Sequence, residues 1–327
     1  MHERRALLGI DALIARPLSF GVYLPQVRFS FEEIRDRVLA CEAAGVDSVW
    51  FMDHLHPPGM PDVPSFEGWT LAAALAPLTS RIRLGHLVLA NSFRHPALLA
   101  KMAASLDVIS GGRLDLGIGS GSYEPEHAMY GFPWEPAAVR ARRLGEALEV
   151  LTRLLRADRA SFDGEFYRLR EAVNRPRPVQ EPAPPIWVGG AGVRHTLPLV
   201  ARYAHGWNCP TYALADLAAR KDALARECEK IGRDPATLRV SVEAVLVLAR
   251  DEKGLAAARP LAESRFGAPG WGLREGGFVG MPAAVAARIR ELAAAGVDHF
   301  VFFFWDRVSP ETLELLTREV IPAARAA

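Results

Sequence analysis

Cysteine is scarce in this chain of 327 residues, where Cys41, Cys209 and Cys228 stand far apart with no C-x-x-C pair. That spacing offers neither a disulfide framework nor a zinc knuckle, and it makes a reducing, cytoplasmic location the expectation. No apolar run reaches the ~20 residues of a membrane span. Charge of one sign is also lacking: Lys and Arg number 39 against 38 Asp and Glu, for a formal net charge of +1. No basic run stands out, whereas a nucleic-acid partner requires a concentrated positive face. The dinucleotide fingerprint G-x-G-x-x-G is missing. Gly117-Ile118-Gly119-Ser120-Gly121 has the wrong spacing and follows the fourth candidate strand, which counts against a doubly wound sheet. Arg4 and Arg5 ahead of Leu7 to Ala15 superficially resemble a secretory signal, but Asp11 interrupts the apolar run. Residues 1–16 therefore read as a loose extension.

What is present is an alternation of short apolar runs and amphipathic segments. Phe20 to Leu24, Val46 to Met52, Ile82 to Ala90, Leu114 to Ile118, Ile186 to Val188, Gly206 to Asn208, Leu238 to Leu248 and His299 to Phe304 suit buried strands. Helical spacing falls between them over Phe31 to Ala44, Glu67 to Pro77, Pro96 to Ile109, Ala137 to Leu155, Val193 to Ala204, Leu214 to Ile231 and Pro282 to Ala295, with a last helix over Thr312 to Val320. Tyr123 to Pro136 reads as a long loop, and the stretch after Leu248 as irregular. Phe162 to Pro185 carries an Asp163-Gly164 turn signal and several prolines, so an insertion around residues 157–185 is expected over one side of the domain. Ala43-Ala44-Gly45-Val46-Asp47 recurs as Ala294-Ala295-Gly296-Val297-Asp298, each time ending a helix and opening a strand. Eight strands alternating with helices predict an α/β fold, a (β/α)8 TIM barrel with insertions at its C-terminal face, as a single domain over residues 17–327.

Chemistry in such a barrel sits at the C-terminal strand ends. Here those ends supply Asp53-His54, Ala90-Asn91, Ser120-Gly121-Ser122, Gly189-Gly190, Asn208-Cys209, Glu243 and Trp305-Asp306. Few are charged. Glycine-rich ends with nearby aromatics suit a flat, apolar-faced cofactor with a phosphate tail, and Gly189-Gly190 ahead of a helix can present backbone N–H groups to an anion. Asp53 and His54 are the catalytic candidates, since histidine moves protons near neutral pH. His54-Leu55-His56 also invites a metal reading, but the partner ligands that such a site needs are missing from the other strand ends, so no metal is expected. Cys209 is equally a packing residue. Of the aromatic run, Trp305 is the candidate for the substrate pocket, with Tyr23 at the end of the first strand.

Met52-Asp53-His54, Gly85-His86-Leu87-Val88-Leu89, Phe93-Arg94-His95-Pro96, the Gly-Ile-Gly-Ser-Gly segment with Glu126-His127 and Tyr130-Gly131, Phe162 to Tyr167, Pro185 to Gly190 and Tyr203 to Asn208 together resemble the bacterial luciferase-like superfamily. The Asp-His strand end and the Glu-His…Tyr-Gly run are most similar to its branch using coenzyme F420, a deazaflavin. The resemblance implies a small-molecule oxidoreductase, usually homodimeric, with an insertion lid and a non-prolyl cis peptide with a bulge at Leu87–Val88 backing the cofactor ring. It also implies cofactor contacts from Asp53, Leu87, Val88, Ala90, Asn91, Ser120, Gly121, Ser122, Gly189, Gly190 and Cys209, and His54 near the reacting carbon. The sugar-phosphate dehydrogenase of that branch has a Glu at the position of Ser122, and no Lys or Arg cluster replaces its phosphate clamp. Two alternatives share the fold: an FMN-dependent monooxygenase fed reduced flavin by a partner reductase, and a flavin-binding protein without turnover. Segments Tyr123 to Pro136, Phe162 to Pro185 and Ala268 to Gly280 are the expected lid.

Overall fold

The computed structural model describes residues 17–268 and 272–326. The expected N-terminal extension, residues 1–16, lies outside the described residues, as do residues 269–271 of the expected lid segment Ala268 to Gly280.

Local signals set the element boundaries. The helix Phe31–Ala43 starts on a capping box in which Ser30 Oγ accepts the Glu33 N–H and the Glu33 carboxylate accepts the Ser30 N–H. The repeated pentapeptide is a pair of helix stops. Gly45 and Gly296 take left-handed φ values of 81° and 85°, and the next N–H reaches back to the carbonyls of Cys41 and Leu292. The chain therefore leaves each helix in the same direction and enters a strand.

The strands in chain order are β1 (Ser19–Tyr23), β2 (Ser48–Phe51), β3 (Arg83–His86), β4 (Leu89–Ala90), β5 (Leu114–Gly119), β6 (Ala160–Asp163), β7 (Arg168–Ala172), β8 (Ile186–Gly189), β9 (Gly206–Pro210), β10 (Arg239–Leu248), β11 (Phe278–Gly280) and β12 (His299–Phe304). Parallel pairing runs β1, β2, β3, β5, β8, β9, β10, β12 and back to β1. This is a closed eight-stranded barrel, which a doubly wound sheet cannot form. β6 and β7 form the antiparallel hairpin turned by Asp163-Gly164, and β11 extends the far end of β10.

Side chains alternate across each strand. Phe20, Val22, Val49 and Phe51 face outward into the main core beneath the helices. Trp50, Trp187 and Val301 face inward, with Tyr23 and Leu87 packed on them. The two indoles meet edge to face, centroids 5.9 Å apart at 84°. Glycines make room for them: a Cβ on Gly85 would stand 2.6 Å from the Trp50 ring, and one on Gly206 would run into Trp187. The barrel is thus plugged, and a ligand is confined to its upper mouth.

The third barrel strand is broken. β3 ends at His86, the Leu87–Val88 peptide is cis, and the chain resumes as β4 against β5. Val88 fills space that two other strands leave open. A Cβ on Gly119 would stand 2.8 Å from one Val88 methyl, and one on Gly189 would stand 2.9 Å from the other. A Cβ on Gly117 would collide with the His86 carbonyl. Glycines 117, 119 and 189 thus house this bulge.

Two expectations need correction. Tyr123 to Pro136 is not all loop, because Glu124–Tyr130 is helical, with Pro125 in its first turn and Gly131 as a left-handed stop. The region after Leu248 is not irregular. It holds the helix Glu252–Phe266, capped by the Asp251 carboxylate, then the short helix Leu273–Gly276 and β11. Pro260 inside the longer helix is a breaker signal in sequence that the alanines around it override.

Gly117→Ala is expected to lose about 1–3 kcal/mol of stability or more, because backbone rather than a movable side chain occupies the space. Urea unfolding of the variant beside wild type checks this, and an unchanged midpoint would show that the bulge relaxes freely.

Candidate active site

Above the two indoles the strand ends open into a cavity of about 370 Å³. Asp53 and His54 follow β2, Leu87, Val88 and Ala90 belong to the bulge, Ser120, Gly121 and Ser122 end β5, and Gly189 and Gly190 end β8. All ten line the cavity. Asn91 lies instead in an adjoining recess of about 220 Å³ that shares Ser120 and Phe93 with it and is flanked by Arg94, Arg140 and Arg143.

Three expected site residues are not among the lining residues. Strand alternation turns Asn208 into the cavity and Cys209 into the main hydrophobic core, where burial pushes its thiol up to about 12. Tyr23 packs beneath the cavity, edge-on to Phe303 with centroids 5.4 Å apart. Trp305 joins a separate cluster with Val245, Val247 and Phe266 in the periphery, under the Arg265 guanidinium.

Asp53 is buried and fully engaged. Arg94 grips its carboxylate with both terminal nitrogens, at 2.8 and 2.7 Å, and the Ala90 N–H donates to it at 2.7 Å. Arg94 also reaches Glu67 at 2.6 Å, and Glu67 caps the helix Gly68–Leu75. Burial would raise the Glu67 carboxyl, but the N–H groups of Thr70 and Trp69 and the Arg94 charge hold it below the usual carboxylate range. The arrangement ties the residue after the bulge to a neutralised, rigid pair. It suits Asp53 to positioning more than to proton transfer.

His54 is held differently. Its Nδ1 lies 2.9 Å from Glu126 Oε2, and the other oxygen of that carboxylate accepts the backbone N–H groups of Leu55 and His56. Glu126 is almost wholly buried. Burial would raise its carboxyl, but hydrogen bonds from His54, Leu55 and His56 keep it low. An ionised carboxylate on Nδ1 fixes the ring and leaves Nε2 for a ligand. Next to it, His127 Nε2 lies 2.6 Å from Ser92 Oγ and its Nδ1 lies 3.0 Å from the Tyr123 carbonyl, among Phe93, Phe132 and Trp134. Arg140 stacks on Trp134 at 3.6 Å and donates to the Gly121 carbonyl, steadying the β5 end.

Glu126 and Arg94 are residues for which sequence reasoning assigned no role, although both sit in the quoted motifs. His54 and Glu126 are 72 positions apart, so no local spacing signals the pair. Glu243 is the other. On β10 it lies in register with Val301 and Pro210, pointing inward like Ser241, whose Oγ accepts from Asn208 Nδ2. It lines the cavity, and burial pushes its carboxyl up from 4.5 to about 7. Thr211 donates to its backbone carbonyl, and among the described residues nothing donates to its carboxylate.

A plugged barrel whose mouth carries a glycine-housed bulge, a histidine–glutamate pair and a cofactor-sized cavity defines a cofactor-binding (β/α)8 enzyme. Residues 17–269 match the family described as luciferase-like monooxygenase, and the chain belongs to that family. It is 32% identical over 259 residues to an F420-dependent glucose-6-phosphate dehydrogenase of Kineococcus radiotolerans, covering 78% of this chain and 74% of the relative. It is 33% identical over 239 residues to the F420-dependent hydroxymycolic acid dehydrogenase of Mycobacterium tuberculosis, covering 73% and 65%. Against the glucose-6-phosphate dehydrogenase of Microbacterium testaceum the chain spans little more than half of the relative's length, 56%. In structure it is similar to an F420-dependent secondary alcohol dehydrogenase solved with an F420-acetone adduct, at a TM-score of 0.80, 21% identity and 94% and 99% coverage of the two chains. That likeness carries the fold. The chain falls in the F420 branch of the luciferase-like superfamily.

The raised Glu243 carboxyl has a consequence for stability. Because its folded value exceeds the unfolded one, the folded state holds an extra proton between pH 4.5 and about 7. Stability from this group is complete below the unfolded value and falls as pH rises toward 7. Tyr23 is the titratable group whose own ionisation Glu243 opposes, and Tyr23, raised first by burial, stays neutral throughout. Glu243→Gln is therefore expected to flatten the melting temperature between pH 5 and 8 and to exceed wild type at pH 8, as scanning calorimetry can measure. A variant that tracks wild type across that range would place the carboxyl in a wetter setting than this.

Proposed function

We propose that the protein transfers a hydride between coenzyme F420 and a small organic substrate, with His54 moving the accompanying proton. The observation that carries this reading is the His54–Glu126 pair opening, beside the Val88 bulge, on one cavity in a chain whose relatives are F420-dependent dehydrogenases. When bound, the deazaflavin supplies a ring carbon that takes or gives a hydride and reacts poorly with oxygen.

The residues present fit such a group. Val88, seated against Gly119 and Gly189, offers a flat apolar wall for a ring. Ser120, Ser122 and Thr196 supply hydroxyls, and Gly190 at φ +119° and Gly192 leave backbone uncovered at the cavity edge for an anionic tail. Asp53 and Arg94 hold the bulge strand in place. His54, fixed by Glu126 through Nδ1, accepts the hydroxyl proton at Nε2 when an alcohol is oxidised and returns it when a carbonyl is reduced.

We take the barrel with its 157–185 insertion as one domain acting in the cytoplasm as a homodimer, with a separate flavin or F420 reductase supplying its reduced cofactor. Among the described residues, no helix is long and apolar enough to cross a membrane. The FMN monooxygenase reading draws on the family description alone, since a flat wall accepts either ring.

Fluorescence titration of the protein with F420 and with FMN separates the two. Tight F420 and weak FMN binding are expected, and the reverse would make the enzyme an oxygen-using one. His54→Ala is expected to keep its F420 affinity and lose turnover by ~10²-fold. Glu126→Gln should lower kcat by about tenfold with KM little changed, the pattern of a residue that acts through His54. Equal kcat in either variant would remove that residue from proton transfer.

A further inference from the structure

We propose that Glu243 selects the substrate: its carboxyl binds the hydroxyl or carbonyl oxygen of an uncharged alcohol or ketone, and its wall of the cavity turns away phosphorylated and carboxylated substrates. The inference rests on the hydride-transfer reading and deepens it by naming the substrate class.

The charge inventory of the cavity leads there. Among the described residues its lining includes Asp53, His54, Glu126, His127, Tyr212 and Glu243, but no lysine or arginine. Asp53 is neutralised by Arg94, whose guanidinium is spent on that carboxylate and on Glu67. Glu126 is turned toward His54 and two backbone amides. Glu243 alone of the three acids has no cation and no donor, and it projects from a mid-barrel position into the mouth. β10 stands three strands from β2, with β12 and β1 between them, so Glu243 and His54 enter the one cavity from different strands.

Glu243 is half-buried, and a carboxyl that no donor meets among the described residues is open to a ligand at the cavity. Protonated, it donates to the oxygen of an alcohol or of a ketone and leaves the hydroxyl proton to His54. That donor serves a neutral substrate on both sides of an alcohol–ketone conversion. An anion gains nothing from it. A substrate phosphate brought against the Glu243 wall would lose its hydration, meet no cation there and face a carboxyl that can ionise against it, since Arg94, Arg140 and Arg143 flank the adjoining recess beyond Ser120 and Phe93. The arrangement is one of exclusion as well as attraction, which is how a site separates chemically close substrates.

Ser122, where the sugar-phosphate enzyme of the branch carries a glutamate, lies on the same cavity at the end of β5. The unpaired acid in this chain therefore enters from another strand, β10.

The test uses the full chain loaded with F420. Glucose and glucose 6-phosphate form a pair differing only in the phosphate, and cyclohexanol and cyclohexanone serve as small neutral probes. Turnover is expected with at least one neutral probe and not with glucose 6-phosphate. Glu243→Gln is expected to bind F420 as wild type does by fluorescence titration, while kcat/KM for the neutral probe falls about tenfold or more. Glu243→Lys should gain binding of glucose 6-phosphate by calorimetry. Should the lysine variant not fold, Glu243→Gln carries the test by itself. Turnover of glucose 6-phosphate by wild type, reaction with none of the neutral probes, or unchanged kcat/KM in Glu243→Gln each overturns the inference. Normal F420 binding with any of these outcomes overturns it alone, whereas absence of F420 binding by wild type overturns the hydride-transfer reading beneath it.

Discussion

Val88 occupies the space that side chains at positions 119 and 189 would fill, and the mouth of the barrel depends on that substitution of methyl groups for missing Cβ atoms. The bulge can project into the barrel mouth only because the neighbouring strands are glycine where it lands. Its return to the sheet at Ala90 brings an N–H onto the Asp53 carboxylate. Asp53 needs a cation to be buried there, and Arg94 supplies it while anchoring itself to a helix cap at Glu67. One close contact therefore fixes a strand break, a buried ion pair and the position of the residue just before His54.

Below that level the barrel is closed to ligands by bulk. Trp50 and Trp187 cross inside it, with glycines on facing strands accommodating the rings. The plug places the reactive surface at the mouth, where strand ends and loops meet. Rigid support beneath mobile chemistry is the usual division of labour in this architecture. The charged groups at the mouth follow the same economy. The carboxylates of Asp53 and Glu126 are each paired within the protein, and His54 Nε2 and the Glu243 carboxyl are left facing the cavity.

Much of the fold is legible in the sequence because its signals are local. Strand and helix alternation, the Ser30 capping box and the two Ala-Ala-Gly-Val-Asp stops each depend on residues within a turn of one another. The helices at Glu124–Tyr130 and Glu252–Phe266 escape that reading because proline and mixed aromatic or charged composition mimic loop signals. The cavity is legible in part. Ten of the residues taken from strand ends do line it, since a barrel strand must end at the mouth. Cys209 and Trp305 do not, because a strand end names a pair of neighbours and only the alternation of the folded strand decides which one turns inward.

The sequence by itself determined the architecture and the family, through periodicity, glycine placement and an ordered set of short motifs. Only the tertiary structure decided what those residues do. His54 finds Glu126 from 72 residues away, Arg94 finds Asp53 from 41, and among the described residues no donor meets the Glu243 carboxylate. Such pairings depend on which strand ends the closed barrel brings together, and a charge's environment is a property of that closure rather than of its neighbours in the chain.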